Sequence, residues 1–206
     1  HKDAGILLSA NGGLRLGEVC ALRVSDIDFQ NGTVSIEHAV QRVRQNGKTK
    51  LIIQTPKSEK SVRVIPLPND MMAYLKKAVS GLSQNAYILT GRTDKPMEPR
   101  TYQYYFESVL RQCGIRKRSY HTLRHTYATR CIENRIDVKS VSEMLGHSDV
   151  RITLQTYVHV SLRHKQQAVQ SICFLPICGN ADLAPSEIPS GAAKAAARHG
   201  AAAQVS

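Results

Sequence analysis

The hydrophobic pattern changes period along the chain, and each change marks a boundary between elements. Over residues 6–23 apolar positions recur at helical spacing, interrupted by Asn11-Gly12-Gly13, which predicts two helical pieces separated by a turn or cap. Between 33 and 65 the period shortens. Val34 and Ile36 alternate with Ser35 and Glu37, and Leu51-Ile52-Ile53 and Val62-Arg63-Val64-Ile65 flank a polar turn at 56–61. The expectation is a small antiparallel sheet whose last two strands form a hairpin with a lysine at its exposed tip.

Helical periodicity then returns. Pro68-Asn69-Asp70 opens a helix through Met71, Met72, Leu75 and Val79 that stops near Gly81, and 91–99 reads as a loop. A helix over 101–113 places Tyr105, Phe106, Val109 and Leu110 on one stripe ahead of Gly114. Further helices are predicted over 121–134 and 137–145, the second ended by Gly146. A last one, capped by Ser148-Asp149, contains Ile152, Thr153, Tyr157 and Val158.

With 206 residues and 42% hydrophobic positions the chain suits one ordinary domain, and no apolar run approaches the length of a membrane span. We place that domain at 1–180. The Ala/Pro/Ser-rich stretch 181–206 has too few large apolar residues to offset the entropy of ordering and is expected to be a disordered tail. His1, rather than Met, stands at the head of a helix-like run, so the sequence reads as a fragment whose N-terminal part is missing.

Charge adds a class of partner. Lys plus Arg outnumber Asp plus Glu by 28 to 16, and Asp182, Glu187, Lys194 and Arg198 cancel in the tail, so the whole +12 falls on 1–180. A polyanion fits such a surface, as does a merely solvated basic face. Cys20, Cys113, Cys131, Cys173 and Cys178 form no CxxC pair, which fits reduced thiols in a cytoplasm. We assign them no metal. Cys20 and Cys131 fall in apolar runs and are expected in the core.

Candidate chemistry concentrates in HTLRHTYAT, at 121–129. Its spacing puts His121, Arg124 and His125 on one side of a helix. Histidines four apart suggest a metal site, but Thr122 follows His121 where a zinc protease has glutamate, and Arg124 opposes any cation. Against an anion the same residues make sense. Guanidinium presents a planar fork to phosphate oxygens and imidazole donates or relays a proton. Alternatively Arg124 pairs with an acid; for His125 we expect packing in the core.

Four stretches, GGLRLGEVCALRVSDID (12–28), TPKSEKSVRVIPL (55–67), HTLRHTYAT and LGHSDVRITLQTYVHV (145–160), occur in the order and spacing of the catalytic domain of tyrosine recombinases, the phage integrase family. The chain resembles that domain over about 5–170, most of all the integrases of phages and of conjugative or integrative transposons. The resemblance implies a mainly α fold with a small antiparallel β-sheet (α+β). It makes Arg15, Lys57, His121, Arg124, His147 and Tyr157 the catalytic set, with Glu18 holding Arg15. Lys60 lies on the same turn as Lys57 and is the other candidate for the hairpin lysine.

Phosphodiester cleavage requires a nucleophile, donors for the nonbridging oxygens and a proton for the leaving oxygen. Arg15, Arg124 and His147 suit the second task, Lys57 the third, and His121 is a candidate acceptor for the Tyr157 proton. A tyrosine with a reference pKa of about 10 needs such help. The implied activity is site-specific strand cleavage and rejoining through a 3′-phosphotyrosyl intermediate, without cofactor or metal, for mobile-element integration or excision. The implied partners are double-stranded DNA, further copies of the chain in a tetramer on DNA, and an excisionase or host DNA-bending factor; no membrane is involved. The implied location is the bacterial cytoplasm, at the nucleoid. Type IB topoisomerase-like relaxation and a catalytically silent DNA-binding protein are the alternatives.

Overall fold

The computed structural model describes residues 1–45, 47–55, 62–147, 149–151 and 153. The predicted turn with Lys57 and Lys60, Tyr157 in the predicted last helix, Cys173, Cys178 and the predicted tail therefore lie outside the described residues. The elements are α1 (Lys2–Gly12), α2 (Leu16–Ala21), a 3₁₀ turn (Val24–Asp26), β1 (Ile27–Asp28), β2 (Thr33–Ile36), β3 (Ala39–Gln45), β4 (Lys48–Gln54), β5 (Arg63–Pro66), α3 (Asn69–Ala78), α4 (Pro99–Gln112), α5 (His121–Glu133) and α6 (Val138–Leu145). This is the mainly helical α+β class expected. No helix among the described residues is long and apolar enough to cross a membrane.

α1 stops at the predicted glycine pair. Gly13 takes the left-handed conformation at φ 67°, and its N–H bonds to Ser9 O at 3.1 Å. Ala4 and Leu8 of α1 pack with Val19 and Cys20 of α2 and with Tyr102 and Phe106 of α4. Tyr120, just before α5, closes this core: its hydroxyl donates to Gly5 O at 2.8 Å and meets Ser9 Oγ at 2.7 Å. The rings of Tyr102 and Phe106 lie edge-on to Tyr120, with centroids at 5.7 and 5.2 Å. Burial pushes the Cys20 thiol up, so Cys20 and the buried Cys131 act as small core residues, as expected.

α4 begins earlier than its stripe suggested. Glu98 is the N-cap, accepting from Thr101 N at 2.8 Å, and Pro99 opens the first turn, where its missing N–H costs nothing. α6 is capped by Asp137, which accepts from Ser140 N at 2.9 Å, and ends at Gly146 with φ 63°.

The sheet differs from the expectation. β1, β2 and β5 form one antiparallel sheet, β3 and β4 another, so among the described residues β4 and β5 do not pair as the predicted hairpin requires. The missed strand is β3, rich in Gln and Arg. It pairs with β4 from Ala39↔Gln54 to Gln45↔Lys48 across a connection containing Gly47 at φ 75°, the geometry an Asn-Gly pair favours between antiparallel strands. β5 pairs with β2 because Ile65 and Leu67 belong in the core beside Val34. That phase turns Arg63 inward and leaves Val64 60% exposed.

Gly13 and Gly32 have nearly equal positive φ, 67° and 68°, but unequal surroundings. A Cβ on Gly13 would meet Tyr127 at 2.6 Å and Leu145 at 2.9 Å, whereas Gly32 has nothing within 4 Å. Gly32→Ala is expected to cost about 1–2 kcal/mol from the left-handed backbone alone. Gly13→Ala should cost distinctly more, measured as the difference in urea unfolding midpoints; equal losses would show that packing around Gly13 yields freely.

Candidate active site

A helix leaves its last carbonyls without partners in its own ladder. At the end of α6 three successive carbonyls are taken by three arginines from three other places in the chain. Arg63 of β5 donates Nε to Met144 O at 2.7 Å, Arg124 of α5 donates Nη2 to Leu145 O at 2.5 Å, and Arg15, the N-cap of α2, donates Nη2 to Gly146 O at 3.0 Å. Arg124 also donates Nη1 to Gly13 O at 2.7 Å, which ties the end of α1 to the end of α6.

Cations at this depth require a counter-anion. Glu18 supplies it. Its Oε1 accepts from Arg15 Nη1 at 2.8 Å and Arg63 Nη1 at 2.9 Å, and its Oε2 from Arg63 Nη2 at 2.8 Å and the Arg15 backbone N–H at 2.7 Å. Burial raises the Glu18 carboxyl, but Arg63 and then Arg15 outweigh it and hold the group at about 2. The carboxylate is therefore ionised at neutral pH. Three guanidiniums against one carboxylate still leave this group of side chains positive.

His147 follows directly, its backbone N–H reaching back to Ser142 O at 3.1 Å. Its Nδ1 lies 2.8 Å from the hydroxyl of Thr153. Burial, and then the charges of Arg124, Arg15, Arg63 and His121, press its imidazole down to about 4, so the ring is neutral at pH 7. His121 opens α5 on an exposed edge. Burial first, then His125, Arg124 and Arg15, lower its pKa as well. Its ring lies edge-on to His125 at 4.5 Å.

The geometry thus gathers Arg15, His121, Arg124 and His147 around the end of α6, while Lys57 and Tyr157 lie outside the described residues. Two expectations are modified. Arg124 is only 2% exposed and turns inward onto carbonyls, while His121 faces out; His125 is half-buried rather than in the core, because α5 sets it on the flank beside His121. Arg15 is the most open of the three arginines, with 37% of its side chain exposed. It borders a cavity of about 210 Å³ lined also by Gln103, Ser119 and His121. A guanidinium carries more N–H groups than Arg15 uses on Glu18 and Gly146, so donors remain for an anion there. No group of His, Cys, Asp or Glu among the described residues is arranged to hold a metal.

Sequence reasoning missed Arg63. The signal was the phase of Ile65 and Leu67, which puts Arg63 on the buried face by the two-residue period. Thr153 was also passed over as a helix-face residue.

Residues 1–164 match the phage integrase family. Among similar proteins, the tyrosine recombinase XerC-like protein of Caldanaerobacter subterraneus subsp. tengcongensis is 31% identical over 192 residues, covering 84% of this chain and 49% of that protein. Tyrosine recombinase XerA of Pyrococcus furiosus is 28% identical over 169 residues, covering 80% and 52%. The chain therefore spans about half the length of the relatives it matches. Among solved structures, the Tn1549 transposon integrase in complex with transposon right end DNA superposes with a TM-score of 0.68 at 22% identity, over 82% of this chain and 58% of that one. XerA recombinase gives 0.59 at 23%, over 82% and 56%. The shared fold is that of the tyrosine recombinase catalytic domain.

Because the Glu18 carboxyl is held below its unfolded value of 4.5, at about 2, the stability it confers is full above about pH 5 and is lost as the pH falls towards 2. The loss is on the order of 3 kcal/mol. Unfolding free energies between pH 7 and 2.5 should show it, and Glu18→Gln should be less stable at pH 7 with a flatter acid limb. Arg63→Met, which leaves a buried carboxylate short of a partner, should cost about 3–5 kcal/mol in the same assay; a loss below 1 kcal/mol would mean that Arg15 alone suffices.

Proposed function

The chain belongs to the phage integrase family, and we propose that it is the catalytic part of a site-specific recombinase that cleaves and rejoins DNA strands through a phosphotyrosyl intermediate. The observation that carries this reading is the convergence of Arg15 and Arg124 on the end of α6 beside His147, with His121 lining the cavity that Arg15 borders, where Arg15 keeps donors that suit a phosphodiester. The names of the relatives, tyrosine recombinases, support it, as does the likeness of fold to an integrase solved with transposon DNA.

In this reading Arg15, Arg124 and His147 hold the nonbridging oxygens, fixed before reaction so that no reorganisation is needed when charge develops. Tyr157 Oη attacks phosphorus while His121, neutral through its surroundings, takes the phenolic proton. The P–O5′ bond breaks, and the departing 5′-oxygen receives a proton from Lys57. The 3′-phosphotyrosine conserves the bond, and the 5′-hydroxyl of another strand reverses the step. Glu18 touches none of the reacting atoms; it fixes Arg15.

The partners that fit are duplex DNA at recombination sites, three further copies of the protein in a tetramer, and an excisionase or host DNA-bending factor. Mobile-element integration and excision is the proposed setting, in the cytoplasm at the nucleoid.

The test uses the full-length protein and a nicked duplex carrying its own recombination site, on which the covalent adduct accumulates. Wild type should give a gel-shifted adduct and Tyr157→Phe none. Arg15→Ala should slow adduct formation about 10²–10³-fold with a much smaller loss of DNA binding. Arg15 is the clean choice because truncating Arg124 would also orphan two buried carbonyls. No adduct from wild type on that site would overturn the proposal, and relaxation of supercoils without exchange between two sites would assign the chemistry to a topoisomerase instead.

A further inference from the structure

Thr153 is a polar residue with no exposed surface, and its hydroxyl lies 2.8 Å from Nδ1 of His147. A neutral imidazole carries a single N–H, so the direction of that hydrogen bond decides which ring nitrogen faces the active site with a proton and which with a lone pair. If Nδ1–H donates to Oγ1, the buried hydroxyl proton must find another acceptor. If Oγ1–H donates to Nδ1, one bond satisfies both the hydroxyl proton and the Nδ1 lone pair. Only Nε2–H is then left over, on the ring nitrogen that Thr153 does not touch. Buried donors are almost always satisfied, and no buried side-chain polar atom among the described residues lacks a partner.

We propose that Thr153 is a positioning residue that donates its hydroxyl proton to Nδ1 of His147, fixing the Nε2–H tautomer and so making His147 a permanent hydrogen-bond donor to the reacting phosphate rather than a proton acceptor. Its catalytic consequence rests on the recombinase reading; its structural content does not. Burial and then the neighbouring cations Arg124, Arg15 and Arg63 keep the ring neutral, so tautomer rather than charge is the variable that remains. A neutral donor has one advantage here. It stabilises the phosphate oxygens without adding a fourth full charge beside the three guanidiniums. The arrangement divides labour between the two histidines, with His147 unable to accept at Nε2 and His121, which opens α5, free to act as the base.

The same placement explains why the residue must be small and hydroxylated. Valine matches threonine in shape but removes the donor, whereas serine keeps it. With Thr153→Val the ring loses its tautomer bias and spends part of its time with a lone pair towards the phosphate, where it repels the oxygen it should hold.

The experiment has two arms on one set of variants. In the first, the 206-residue chain is labelled with ¹⁵N-histidine, the His147 resonances are identified by their loss in His147→Gln, and two-bond ¹H–¹⁵N correlations report which nitrogen carries the proton. Wild type and Thr153→Ser should show Nε2–H, and Thr153→Val a mixture or the opposite tautomer. Nδ1–H in wild type, which is what a hydroxyl turned to the carbonyl four residues back would produce, overturns the proposal, as does a tautomer unchanged in Thr153→Val. In the second, the full-length variants are compared on the nicked duplex. Thr153→Val should slow adduct formation about 10–100-fold, the usual scale for removing a group that orients a reacting one, with DNA affinity changed less than threefold. Thr153→Ser should stay within about threefold of wild type. Equal losses in the Ser and Val variants would reduce Thr153 to a packing role and sink the catalytic half. If wild type forms no adduct while the tautomer arm behaves as stated, the recombinase reading fails and the assignment of Thr153 to the His147 tautomer stands.

Discussion

The end of α6 is a knot of three cations on three successive carbonyls, and the rest of the described structure is arranged to make that knot possible. Helix ends are ordinarily satisfied by water or by a local cap. Here Gly146 supplies the left-handed turn, but Met144, Leu145 and Gly146 offer their oxygens to Arg63, Arg124 and Arg15. The negative end of the helix dipole and the guanidiniums favour one another. Glu18 makes the crowding tolerable, since guanidiniums so close together would otherwise repel. The carboxylate is buried because it must lie between Arg15 and Arg63, and it stays ionised because it does.

From that knot the electrostatics of the site follow. Burial first, and then the cationic wall, disfavour further positive charge, so both nearby histidines are pressed towards neutrality, and the site is left ready for a negative ligand. The wall is not uniform. Arg124 is nearly enclosed and spends donors on two carbonyls, while Arg15 has a third of its side chain open and donors unspent. His147 is attached by sequence to the same helix end and cannot drift from the arginines without unwinding it. Rigidity of this kind is what electrostatic preorganisation demands, because donors that had to rotate into place would forfeit much of their effect.

Much of this was legible beforehand, and the reasons for the exceptions are physical. The glycine break after α1, the stripe of α3, and the limits of α5 and α6 follow from caps and periodicity, which are local. Which strand pairs with which is not local. β4 and β5 both looked like halves of one hairpin, yet Ile65 and Leu67 draw β5 into the core beside Val34, and β4 folds back on β3. The Asn-Gly pair ahead of β4 was the available signal for that hairpin. Arg63 was hidden for a related reason: flanked by valines, it reads as the outward residue of an apolar strand until the phase is fixed from Leu67. His121 and Arg124 stand out by their helical spacing and Arg15 and His147 through the resemblance, and the four lie near one another although no periodicity argument relates position 15 to 146. Thr153 was invisible because its importance depends on one hydrogen bond across a helix boundary.

The bonds of the knot also impose an order of assembly. Arg15 and Gly146 are 131 positions apart, Arg124 and Gly13 are 111, and Arg63 and Met144 are 81. Such distant pairings are the slow part of folding, because loop closure must precede any gain from the contact. A ribosome making this chain delivers all three arginines before it delivers the carbonyls that organise them. Before α6 emerges, Glu18 can already join Arg15 to Arg63 and Gly13 can hold Arg124, but the carbonyls that bring the three arginines to one place are missing, so a nascent or prematurely terminated chain holds the basic residues without the full geometry. On a protein read as a DNA-cutting enzyme, that delay is a safeguard written into topology: the charges that attract DNA exist early, and the site that acts on it only when the domain is nearly complete.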